Sequence, residues 1–159
     1  MNKINLASSQ SGFGLIEALV SLLVISIGLL GVAALQITSL SQAASAQWHS
    51  QAAWYTYDMA DRIHANRRAM MEYDSIDTND APTDADCMAN TCTPAQMADA
   101  DAADWAELVQ NLPSGRGVID ATGNALMVTV MWADNSGESN CINGEPDADG
   151  MSCFSITLE

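Results

Sequence analysis

The residues with the most chemical potential are few and widely spaced. Glu17 sits near the start of an almost wholly apolar run, Ser11 to Leu35, and no other charged residue lies within it. An acid in such a segment marks a functional site, because in an apolar medium it needs a partner charge. Four cysteines, Cys87, Cys92, Cys141 and Cys153, fall in polar, Gly- and Asp-rich sequence, as a CxxxxC pair and as the ends of a 13-residue loop. If the apolar run carries this half out of the cytoplasm, they read as disulfides. Zinc is the competing reading, but neither His49 nor His64 lies near them in sequence. Of three connectivities, proximity alone favours Cys87 with Cys92 and Cys141 with Cys153. Glu145-Pro146-Asp147-Ala148-Asp149-Gly150 faintly resembles a calcium loop, yet the position where a bidentate acid should stand is Ile156, and strand follows. His49 and His64 read as helix-surface residues, the nine methionines as scattered packing or surface residues, and no serine or cysteine occupies a nucleophile elbow. No catalytic residue, metal or cofactor is expected.

The element that positions Glu17 is a helix. Residues 18 to 35 hold six Leu, two Ile and three Val, each contributing about -0.3 to -0.6 kcal/mol to insertion, which offsets one acid near the bilayer edge. From Gln36 to Met71 there is no Gly or Pro, so the helix is expected to continue. Trp48, Ala52, Tyr55, Met59, Ile63 and Met70 form an apolar stripe on it, with Gln51, Asp58, Asp61, Arg62 and Arg68 elsewhere. Arg67 and Arg68 suit the negative end of that helix. Residues 72 to 92 contain no recognisable regular element. Thr93-Pro94-Ala95-Gln96 carries an N-cap, a proline at the first position and a capping-box partner, opening a helix whose buried face is Ala98, Ala102, Trp105, Val109 and Leu112. Strands are expected over residues 117–121, 124–133 and 152–158, giving a small antiparallel sheet on the helix stripe.

The chain has 159 residues, room for one ordinary domain and a terminal extension. Its 20 acids against 5 bases give a net charge of -15, and every acid but Glu17, Asp58 and Asp61 lies after Met71. Such a surface repels nucleic acid. A secretory signal peptide cut near Ala46 is the ordinary alternative for the N-terminus, but the run is too long and carries Glu17.

Gly12-Phe13-Gly14-Leu15-Ile16-Glu17 followed by the apolar run resembles the processing site of type IV prepilins and pseudopilins. Gly14 stands where many members have Thr. IGLLGVAALQ (27–36), DMADRIHANRRAM (58–70), DAADWAELVQNLPSGRG (101–117) and ALMVTVMW (125–132) resemble the PilV group of minor pilins. The resemblance implies an α+β type IV pilin fold. It comprises a leader at 1–12, a transmembrane and filament-core helix at 13–35, an amphipathic continuation at 36–71 and an acidic disulfide-bonded part at 72–159. It implies cleavage between Gly12 and Phe13 by prepilin peptidase, N-methylation of Phe13, and Glu17 as the acid that recruits the next subunit. The expected role is assembly rather than catalysis: a minor pilin that primes type IV pili, with roles in adhesion or twitching motility. The expected partners are other minor pilins, the major pilin, the peptidase, an inner-membrane assembly platform and a tip adhesin. The expected location is the inner membrane with a periplasmic domain, then the extracellular pilus. A minor pseudopilin of a type II secretion system is the alternative.

Overall fold

A computed structural model describes residues 14–83, 86–134 and 151–159. Helix α1 covers Leu15–Ala65, and the chain divides into two units, residues 1–41 and 42–159.

In the first unit α1 is apolar on every face, and its large side chains from Leu15 to Leu40 are exposed. The helix is long and apolar enough to cross a membrane, with a window of mean hydropathy 2.6. Ser21 and Ser26 turn their hydroxyls onto the carbonyls of Glu17 and Leu22, at 2.8 and 2.7 Å, which satisfies each donor without a partner outside the helix.

In the second unit the amphipathic part of α1 buries Ala52, Tyr55, Met59 and Ile63, with Trp48 and Met70 packed at the margin of the same core. The α-helix ends at Ala65 and does not reach Met71. Arg67–Tyr73 instead form 3-10 turns, broken at Ala69. Helix propensity loses here to tertiary contacts. Asn66 donates to the Pro94 carbonyl at 2.7 Å and to the Tyr73 hydroxyl at 3.2 Å. The turn after it returns Tyr73 to full burial.

Helix α2 covers Pro94–Val109. Its capping box is complete: Thr93 accepts from the Gln96 backbone N–H, and the Gln96 side chain accepts from Thr93. Ala98, Ala102, Trp105 and Val109 bury one face, with Leu112 just beyond. The Trp105 indole N–H donates to the Tyr55 carbonyl at 3.0 Å, joining α2 to α1.

The sheet is antiparallel and ordered β1-β2-β3-β4: Ile76–Asp77, Arg116–Thr122, Ala125–Ala133 and Met151–Leu158. The two-residue β1 lies where no regular element was expected. It holds its place by pairing Ile76 with Ile119. Strands β2 and β3 join through Gly123 and Asn124, with Gly123 at φ 70. That is the positive angle a tight hairpin demands at its first central residue. Leu126, Val128, Val130 and Trp132 face the core from β3, paired with Leu158, Ile156, Phe154 and Ser152 of the edge strand β4. Gly117 is needed because β2 crosses the Trp105 ring: a Cβ there would stand 2.4 Å from it.

Candidate functional site

Glu17 lies in the first turn of α1 and is exposed, where the positive end of the helix favours an acid. Its backbone N–H donates to the Gly14 carbonyl at 2.9 Å. Its carboxylate has no hydrogen-bond or ion partner among the described residues. Around it Leu15, Ile16, Leu19 and Val20 are exposed as well. Among the described residues the acid therefore stands uncompensated on an apolar surface, and both features favour association in an apolar medium. Gly12 and Phe13, the expected cleavage pair, lie outside the described residues.

The second unit contains an ion network joining α1 to α2. Arg62 reaches Asp58 at 3.0 Å, Asp101 at 3.2 Å and Asp104 at 3.1 Å. Tyr73 donates to the other oxygen of Asp101 at 2.6 Å. Burial lowers the Arg62 pKa, but the hydrogen bonds to Asp104 and Asp101 and the charge of Asp58 outweigh it and hold the value above normal. Burial is also the main cause of the raised Tyr73 pKa, reinforced by its bond to Asp101. A cavity of about 350 Å³ opens beside this network, lined by residues including Arg62, Asn66, Cys92 and Asp101. Across the sheet, Arg116 grips both oxygens of Asp77 at 3.2 and 2.7 Å, and that contact is the chief cause of the lowered Asp77 pKa. At the far end of the unit, Asp134 accepts from Ser45 at 2.6 Å. None of these pairings was expected from the sequence. The nearest signal is the i, i+4 spacing of Asp58 and Arg62, since the other partners lie 28 or more residues apart.

Cys87 and Cys92 are joined in a disulfide. Cys153 is also disulfide-bonded, whereas Cys141, its expected partner, lies outside the described residues, as does the loop from Glu145 to Gly150. His64 is exposed on α1. His49, also exposed, meets Trp132 and Phe154 edge-on, with ring centroids 5.8 and 5.6 Å apart. The buried Trp132 indole N–H has no hydrogen-bond partner among the described residues.

Two family models match the chain. The prokaryotic N-terminal methylation motif covers residues 7–33, and the type IV pilin Tt1218 model covers residues 34–103. The matches support a type IV pilin. The architecture agrees, since a long N-terminal helix followed by a small domain with a short helix and a four-stranded antiparallel sheet is consistent with the type IV pilin fold. No curated protein and no solved structure matches. A pilin of a pilus or pseudopilus is the reading these two matches support. Members of such a family are structural subunits that assemble with other pilins after processing by a prepilin peptidase, and the apolar helix here is long enough to serve as a membrane anchor.

Proposed function

We propose that this pilin is a minor pilin of the PilV type, which enters type IV pili as part of a priming complex at the tip, where it meets an adhesin. The observation that carries the assembly role is Glu17. It stands without a partner among the described residues, in the first turn of an exposed apolar helix and within a matched methylation motif.

The chemistry follows from that placement. Prepilin peptidase hydrolyses the Gly12–Phe13 peptide bond, leaving a carboxylate on Gly12 and an amine on Phe13, which a methyl donor then methylates. In the filament core the Glu17 carboxylate and the Phe13 ammonium of a neighbour neutralise each other, whereas either alone would be costly in an apolar medium. Before assembly the apolar helix lies in the inner membrane with the acidic domain in the periplasm. The small domain contributes a surface that selects neighbours and supplies no catalytic group.

The test is Glu17→Ala in the full-length chain, read by recovery of the protein in sheared surface filaments. The expected result is normal membrane insertion with loss from the filament fraction. Unchanged recovery would refute the role given to this acid. Co-purification with secretion-system pseudopilins in place of pilus subunits would assign the chain to a pseudopilus.

A further inference from the structure

Between Glu17 and Asp58 the sequence contains no Asp, Glu, Lys or Arg. A neighbour packing along α1 therefore meets no formal charge on the helix before Asp58. Within the second unit, this stretch carries two large aromatic side chains that the core does not use. Trp54 is 62% exposed and Tyr57 is 54% exposed, and at three residues apart they adjoin on the helix surface. Phe154, half-buried on the edge strand β4, lies against Tyr57 with ring centroids 5.9 Å apart. A second contact to Phe154 comes from His49. Burying one more ring would stabilise the domain, yet Trp54 and Tyr57 stay outside its core cluster. Exposed aromatic rings of this kind are the side chains that protein interfaces concentrate at their centres.

The charge around the patch identifies its occupant. The next charged residues on the helix are Asp58, paired with Arg62, and Asp61, which is exposed. A second copy of this chain is poorly suited to that rim. It carries a net charge of -15, and two of its arginines, Arg62 and Arg116, are held in ion pairs within the domain. We propose that Trp54, Tyr57 and Phe154 dock a different pilin-type subunit, one whose contact surface has an apolar or aromatic centre rimmed by Lys or Arg. This rests on the reading of the chain as an assembling pilin. It makes the domain a heterotypic coupler: uncharged contact supplies the binding area, and acidic repulsion disfavours self-association.

The experiment places a photoreactive phenylalanine analogue at Tyr57 in the full-length chain, in cells that assemble the filament. Parallel probes stand at Val32, in the apolar segment, and at Met88, 99% exposed on the disulfide loop. Adducts are identified by peptide sequencing. The expected result is a Tyr57 adduct with a different pilin-type chain, through a peptide containing Lys or Arg, at several times the Met88 yield. Asp61→Lys should lower that yield several-fold, as should raised salt during crosslinking in solubilised membranes, because salt screens opposite charges. A Tyr57 adduct with a second copy, with lipid or with a non-pilin protein overturns the proposal, as does a yield equal to that at Met88. Pilin adducts at Val32 without one at Tyr57 would reject the docking surface while the pilin reading stands. Absence of pilin adducts at Val32 would reject the pilin reading itself. Tyr57→Ala should leave the thermal midpoint unchanged, and a Tyr57 whose removal unfolds the domain would be a core residue rather than a docking one.

Discussion

Glu17 and Trp105 illustrate opposite uses of a polar group in an apolar setting. The Glu17 carboxylate has no partner among the described residues, so its removal should leave folding of the domain untouched and affect only association. The Trp105 indole N–H is satisfied by the Tyr55 carbonyl, while the equally buried Trp132 N–H has no partner among the described residues. The two tryptophans supply an internal comparison. Both Trp105→Phe and Trp132→Phe lose packing volume, but among the described residues only the first loses a hydrogen bond. Denaturant unfolding should therefore show Trp105→Phe as the more destabilised, by about 1 kcal/mol. Gly117→Ala should cost about 1 to 3 kcal/mol by the same measurement, because its Cβ has no room beside the Trp105 ring. A wild-type midpoint for Gly117→Ala would mean that β2 does not press on that ring.

At the scale of elements, the short disulfide loop immediately precedes the cap of α2: Cys92 is followed by Thr93, the N-cap. Replacing both Cys87 and Cys92 by Ser should lower stability by about 2 kcal/mol in the chain-entropy account, read as a lower denaturant midpoint with an unchanged slope. An unchanged midpoint would show that the capping box and the α2 packing fix the loop without the bridge. Elements with local signals were legible in the sequence. Thr93, Pro94 and Gln96 announce the start of α2, and the alternation from Leu126 to Trp132 announces β3. Edge strand β4 was legible for the same reason, through Phe154, Ile156 and Leu158. The end of α1 was not legible, because Asn66 stops the helix by bonding to Pro94, 28 residues away. Strand β1 escaped notice since two residues have no period, and it exists through its register with Val118 and Ile119. The Arg62 network is invisible for the same reason: acids in α2 become partners only once the two helices pack.

For the whole molecule, the titrating contacts define a pH window. Asp77 has a lowered pKa in the folded state. Its contribution is therefore complete above the ordinary carboxylate range, near pH ~4, and is lost as pH falls through the folded value. Tyr73 has a raised pKa, so its contribution is complete below the ordinary tyrosine value, near pH ~10, and is lost as pH rises towards the folded value. Arg116→Ala should reduce stability at neutral pH by ~1 kcal/mol or less, since the pair is partly exposed, and should flatten the acid limb. Tyr73→Phe should flatten the alkaline limb. Unfolding curves collected across pH check both, and limbs unchanged in these variants would exclude the assigned groups. In the proposed role the apolar part of α1 associates, and the acidic domain selects its neighbours.

That role depends on one proposed event, cleavage at Gly12, which would create the charge that Glu17 is placed to meet. The mass and N-terminal sequence of the chain recovered from sheared filaments test it most directly. The account predicts a polypeptide that begins at Phe13 and carries one methyl group on its amine. A filament-borne chain that begins at Met1, or one that begins near Ala46 after signal-peptide cleavage, would contradict it.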